Sequence, residues 1–164
     1  MDLRVEGPTR RVHIGVIGAG CCDSDVSEKA YQVGRAIAQH GAILFCGGLG
    51  GVMEAAAHGA KTEGGLTVGI LPGSSAAEAN QYIDIPVVTD MGHARNVILV
   101  RSCDALVAIA GGFGTLSEIA VACKIGIPCV GLGTWRIAPN IRMAEDPTQA
   151  VTMAIQMARQ RGTL

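Results

Sequence analysis

Asp104-Ala-Leu-Val-Ala-Ile-Ala-Gly-Gly-Phe-Gly-Thr-Leu-Ser-Glu118 joins an apolar run, a cluster of glycines and the start of a helix. Ala105 to Ala110 is continuously apolar and of strand length, the pattern of a parallel strand covered on both faces. Gly111, Gly112 and Gly114 allow a sharp turn with free space beside it. Thr115 to Glu118 begins a helix, whose first N–H groups have no intrahelical partner and point back into that space. Together with the helix dipole and the Thr115 hydroxyl, such a turn favours a phosphate. Packing alone would explain one turn of this kind, so the question is whether it recurs.

It does. Val12 to Ile17 reads as a strand ending in Gly18-Ala-Gly20, and Ala42 to Phe45 as a second ending in Cys46-Gly47-Gly48 with Gly50 and Gly51 beyond. Leu66 to Leu71 is a third, closed by Pro72-Gly73. Ile85 to Thr89 is a fourth, with Pro86 near its start, where a missing N–H is tolerated. Pro128 to Leu132 is the last strand expected. Between them lie helices over Asp25–Gln39, Val52–Thr62 and Met91–Ser102, the helix that Ile119 to Lys124 completes, and a closing helix over Pro147–Arg161. The first has Val26, Ala30, Val33 and Ile37 at helical spacing, Ser24 or Asp25 as N-cap and Gly41 just past its end. This alternation predicts an α/β fold: a single Rossmann-like, doubly wound parallel sheet with helices on both faces. Ligands of such sheets bind outside the carboxyl ends of the strands. The glycine turns at 18–20, 47–51, 72–73 and 111–114 all follow strands and should share that edge, which raises binding above packing as their explanation.

Composition narrows the function. The 164 residues fit one domain, 11–164, behind a flexible polar tail at 1–10. Hydrophobic residues make up 49% and aromatics 3%, so Ala, Val, Ile, Leu and Met must build the core. A net charge of −1 supplies no basic field for nucleic acid or a membrane surface. Apolar runs fall far short of the roughly 20 residues of a membrane span, and no apolar signal core opens the chain, so a cytoplasmic location is expected. The six cysteines show no Cys-x-x-Cys or Cys/His ligand spacing, which predicts reduced thiols and no metal site. The adjacent Cys21 and Cys22 point apart and make a poor clamp. NAD is disfavoured: the third glycine of the dinucleotide fingerprint is Asp23, and the second strand ends in Cys46 rather than an acidic residue. Gly59-Ala-Lys61-Thr62 lacks the spacing of a triphosphate loop and lies inside a helix.

Two charged residues stand near the predicted edge. Arg95 opens one helix and Glu118 lies one turn into the next. Arg95 has the donor fork for a phosphate or ribose oxygen, and Glu118 could serve as a base or hold sugar hydroxyls. A purely structural ion pair explains their spacing equally well. His93 reads as a polar helix-start residue and Asp90 as an N-cap. Val97 to Val100 is apolar on successive positions and covers more than one helix face, so that helix is either wedged into the core or meets another subunit. Gly133 to Asp146 holds the sole tryptophan, Trp135, and reads as a lid or subunit-contact loop.

Gly111-Gly-Phe-Gly-Thr-Leu-Ser-Glu118 resembles the Pro-Gly-Gly-x-Gly-Thr-x-x-Glu motif of the Lonely Guy proteins, long mislabelled as lysine decarboxylases. Met91-Gly-His-Ala-Arg95 resembles their arginine motif, and Cys46-Gly-Gly through Met53 and Val68-Gly-Ile-Leu-Pro72 also fit. The family cleaves the N-glycosidic bond of cytokinin nucleoside 5′-monophosphates. The resemblance therefore implies Arg95 and Glu118 as the catalytic pair and Gly111, Gly112, Gly114 and Thr115 as the phosphate cradle. Gly18, Gly20, Gly47, Gly48, Pro72 and Gly73 would line the same ligand. Departures are Ala110 for proline, Ser117 for a first glutamate and Asn96 for lysine. The short chain, Leu71-Pro-Gly73, Asp84 to Thr89 and Ala94-Arg-Asn96 look more like the branch containing molybdenum-cofactor carriers, which bind a phosphorylated pterin without turning it over. The expected ligand is accordingly an AMP-like nucleotide or molybdenum cofactor, with no further cofactor required, and a non-catalytic nucleotide sensor stands as a third reading beside hydrolase and carrier. A homodimer or homotetramer is expected as well.

Overall fold

A computed structural model of the chain describes residues 10–161. The expected tail falls on residues outside that range except for Arg10, whose guanidinium pairs with Asp104 at 2.6 Å. The first half of the chain runs β1 (His13–Gly18), α1 (Ser24–Gln39), β2 (Ile43–Cys46), α2 (Val52–Thr62), β3 (Thr67–Leu71) and β4 (Ile85–Val88). The second half runs α3 (Arg95–Arg101), β5 (Ala105–Ile109), α4 (Phe113–Ile125), β6 (Cys129–Leu132), β7 (Arg142–Met143) and α5 (Pro147–Gln160). All six strand pairs are parallel, in the order β4-β3-β2-β1-β5-β6-β7. The fold is the doubly wound α/β sheet, and every strand-end turn opens on one edge.

Alternation along the central strands divides the core in two. On β5, Ala105, Val107 and Ile109 face the layer of α1, α2 and α5, while Leu106 and Ala108 face α3 and α4. With so few aromatics, close approach replaces bulk. Gly34 on α1 and Gly59 on α2 let the two helices touch backbone to backbone: a Cβ on Gly34 would run into the Ala56 carbonyl, and one on Gly59 into that of Tyr31. Gly59 is thus a packing residue of a helix pair, which settles the triphosphate-loop lookalike.

Several boundaries differ from expectation for identifiable reasons. The N-cap of α1 is Asp23, whose Oδ1 accepts the Val26 N–H at 2.9 Å, so Ser24 and Asp25 lie inside the helix. Asp90 caps nothing; it sits at φ 52°. The segment 91–102 is not one helix, because Gly92 at φ 54° cannot carry α-geometry, and a short 3-10 turn over Gly92–Ala94 precedes α3. Two residues of the Val97–Val100 run, Leu99 and Val100, are fully buried, whereas Val97 is 40% exposed. Helix α4 starts at Phe113 rather than Thr115. The two-residue β7 lies in the expected loop and is too short to carry a periodic signal.

Candidate functional site

The chain leaves β1 toward β2 on one side and meets β5 on the other, so the topological switch point lies between the ends of β1 and β5. A cleft of about 320 Å³ opens there, at the lower end of the range for small-molecule sites. Gly18, Ala19 and Gly20 form one wall and Gly112, Gly114 and Thr115 the other, with Arg95 and Glu118 between them and His93, Asn96, Leu49 and Met53 completing it.

The Gly112 wall is a helix N-terminus without a cap. Gly112 occupies the N-cap position, offers no side chain, and its carbonyl accepts the first bond of α4 from the Leu116 N–H at 3.0 Å. The N–H groups of Phe113, Gly114 and Thr115 therefore lie ahead of the ladder. The preceding backbone is strained into place: Ala110 sits at φ 45°, a region disfavoured for a residue with a Cβ and closed to proline, whose ring fixes φ near −65°. The proline of the resembling motif cannot occupy this conformation. Thr134 Oγ1 donates to the Ala110 carbonyl at 2.5 Å and Trp135 Nε1 to that of Gly111 at 3.1 Å. The loop after β6 thus fastens the turn from outside.

Arg95 and Glu118 are both buried, at 8% and 6% exposure. Their closest approach, Nη1 to Oε1, is 3.6 Å, an ion pair without a hydrogen bond. Nη1 instead donates to Asn96 Oδ1 at 2.8 Å, Nη2 reaches the Gly47 carbonyl at 3.5 Å, and Nε is buried without a partner. Burial pushes the Glu118 carboxyl up to about 7, against the downward pull of Arg95. Burial also lowers Arg95 from its ordinary value, with Glu118 opposing. A carboxyl balanced near neutrality in a cleft suits proton transfer.

The remaining expected residues lie behind the cleft. Gly47 is bare because the arginine lies on it: a Cβ there would sit 2.6 Å from Nη2 and 2.8 Å from Nη1. Gly48 turns at φ 77° and its carbonyl holds the Asn80 N–H at 2.9 Å. The carbonyls of Pro72 and Gly73 hold the N–H groups of Gly92 and Asp90, each at 2.9 Å, fixing the loop that presents Arg95. Gly111 packs under Thr115. These five do not line the cleft; Gly47 and Gly111 pack against the lining residues Arg95 and Thr115, and Pro72 and Gly73 hold the loop that leads to Arg95. His93, read as a polar helix start, does line it, and so does Asn96.

A larger groove of about 530 Å³ runs between α1 and α2, lined by Glu28, Tyr31, Glu54, His58 and Tyr82 among others. Its two carboxylates oppose a phosphate, and it holds neither Arg95 nor Glu118. Among the described residues no group of three His, Cys, Asp or Glu side chains could hold a metal, and no helix is long and apolar enough to cross a membrane. The cysteines are free thiols.

The molybdenum-cofactor binding protein of Rippkaea orientalis superposes with a TM-score of 0.86 at 35% identity, over 92% of this chain and 99% of that one. The molybdenum-cofactor carrier of Chlamydomonas reinhardtii gives 0.85 at 38% over the same shares. An Archaeoglobus fulgidus protein is 51% identical over 88% of this chain and 95% of its own. The cytokinin riboside 5′-monophosphate phosphoribohydrolase of Mycobacterium tuberculosis is 35% identical over 99 residues, 58% of this chain and 53% of the enzyme. A model of the SLOG cluster4 family matches residues 11–161, and the chain belongs to that family.

Proposed function

We propose that the cleft binds a phosphorylated heterocycle with its phosphate on the open N-terminus of α4, and that the chain hydrolyses the N-glycosidic bond of a nucleoside 5′-monophosphate. The observation that carries this reading is the buried Glu118, balanced at about 7 and 3.6 Å from Arg95, in the second turn of that helix. The N–H groups of Phe113, Gly114 and Thr115 would fix the phosphate, so that binding remote from the reacting bond positions the sugar over Glu118. Ionised Glu118 stabilises the oxocarbenium-like ribose or takes a proton from the attacking water. The C1′–N bond breaks with its electron pair leaving on the base, the water oxygen adds to C1′, and the water's proton, directly or by way of Glu118, ends on the base nitrogen, giving free base and ribose 5-phosphate. Arg95 orients the phosphate or the departing base.

The second reading is a carrier that holds molybdenum cofactor in the same cradle without turning it over. The similarity to molybdenum-cofactor carriers over nearly the whole of both chains favours it. In either case the protein acts in the cytoplasm as a homodimer or homotetramer. What supports assembly is the outward side of the α3–α4 layer, where Met91, Val97 and Phe113 are 50%, 40% and 83% exposed. Incubation with a panel of nucleoside 5′-monophosphates, followed by chromatography for free base, separates the readings. Release by wild type and not by Glu118→Gln supports hydrolysis. No release from any nucleotide, with saturable molybdenum-cofactor binding, assigns the carrier.

A further inference from the structure

Asn96 departs from the resembling motif, is 8% exposed and contacts both halves of the cleft. Its Oδ1 accepts Arg95 Nη1 at 2.8 Å, its Nδ2 donates to Ser117 Oγ at 3.2 Å, and Ser117 Oγ donates to the Gly114 carbonyl at 2.7 Å. We infer that Asn96 is a positioning residue that holds the Arg95 guanidinium off Glu118 and locks that separation to the first turn of α4, so that the two charged groups stay available to a ligand instead of closing on each other.

The competing arrangement is written in the arginine. A guanidinium presents a planar fork that matches a carboxylate with two parallel hydrogen bonds. Arg95 lies near enough for this, yet Nη1 points to Asn96, and Nε is buried with no acceptor. A buried empty donor beside a carboxylate marks a geometry imposed by a third group. Asn96 is the neighbour whose hydrogen bond to Arg95 is short, and through Ser117 it is tied to the helix start where the phosphate is expected.

The other titratable groups around Glu118 do not compete for this role at neutral pH. Burial pushes Cys46 on β2 up to about 11 and Cys129 on β6 to about 12, and raises Cys103 well above its ordinary value, so these thiols are uncharged. His93 lies exposed at the cleft rim. Arg95 remains the charge that decides how readily Glu118 ionises, and its distance is what Asn96 controls. The inference deepens the acid–base reading of Glu118, but its test needs no ligand.

The test follows the Glu118 side-chain carboxyl by ¹³C NMR through a pH titration of the ligand-free chain. In Asn96→Leu, which keeps the volume and removes the acceptor, Arg95 turns onto Glu118 and the midpoint falls from about 7 by about one unit or more. Asn96→Asp keeps the acceptor and adds a negative charge, so its midpoint stays at or above that of wild type. A folded Asn96→Leu with the wild-type midpoint, or Asn96→Asp falling alongside it, overturns the inference. If Asn96→Leu loses its folded amide spectrum, Ser117→Ala decides: freeing Nδ2 lets Asn96 turn, so a lowered midpoint supports the inference and an unchanged one overturns it. Absence of nucleotide release would sink the hydrolase reading and leave this titration standing, whereas an unchanged midpoint would leave ligand binding untouched.

Discussion

Helices α1 and α4 each follow a central strand through a glycine turn and start at the same edge of the sheet, yet they end differently at their N-termini. Helix α1 begins behind Asp23, whose carboxylate accepts the Val26 N–H at 2.9 Å. Helix α4 begins behind Gly112, which has no side chain to offer. The first already holds an anion of its own, and the second presents free donors and the positive end of its dipole to a cleft. The closing helix α5, away from the cleft, is also capped, with Asp146 Oδ1 accepting the Gln149 N–H at 2.8 Å. A glycine in place of a capping side chain costs only a few tenths of a kcal/mol; α2, behind Gly51, lacks a side-chain cap as well, and what sets α4 apart is that Gly112, Gly114 and Thr115 line the cleft with Arg95 and Glu118.

The largest test of this contrast is to close α4. A Cβ at Gly112 would meet nothing within 4 Å, and its φ of −102° suits any residue, so Gly112→Asp is sterically free. Its carboxylate should cap α4, raise the melting temperature, and weaken binding of ribose 5-phosphate by about 100-fold, the loss of a charge-assisted contact plus repulsion. Unchanged affinity by calorimetry would move the phosphate elsewhere.

A second effect concerns pH. Glu118 titrates higher in the folded chain, at about 7, than its ordinary 4.5, so the folded state binds the extra proton. The resulting stability is fully present below about 4.5 and is lost as pH rises through about 7. The upper bound is on the order of 3 kcal/mol. Denaturant unfolding of wild type should therefore lose stability over that window relative to Glu118→Gln; parallel profiles would mean that the carboxyl is not held protonated by burial. The smallest effect belongs to the closed helix: Asp23→Ala should cost about 1 kcal/mol and leave ribose 5-phosphate affinity unchanged. A loss of affinity there would erase the distinction between the two helix starts.

The sheet and most helices were legible because strand-length apolar runs alternate with helical periods, and α2 falls on its expected limits of Val52 and Thr62. The charged pair was legible because Arg95 and Glu118 each sit close to a predicted helix start. What local patterns hid was the division of labour among the glycines. Gly47, Pro72 and Gly73 look like ligand loops in one dimension, but in three they make room for a guanidinium or hold the loop that carries it, and Gly48 packs against Leu71 and holds Asn80. Asn96 and Ser117 stood out as separate departures from a motif. Their meaning is relational: the two side chains are hydrogen-bonded to each other, so a neutral pair stands where the resembling motif has lysine and glutamate. Ala110 shows the same limit, since its positive φ appears only once the turn is built.

The most direct test of the open-helix account is an amide NMR titration with ribose 5-phosphate and, separately, AMP. The account predicts that the N–H resonances of Phe113, Gly114 and Thr115 shift with both ligands, while those of the first turn of α1, Ser24 to Ser27, stay in place. Shifts confined to α1, or none at Phe113 to Thr115 at saturating ligand, would contradict it.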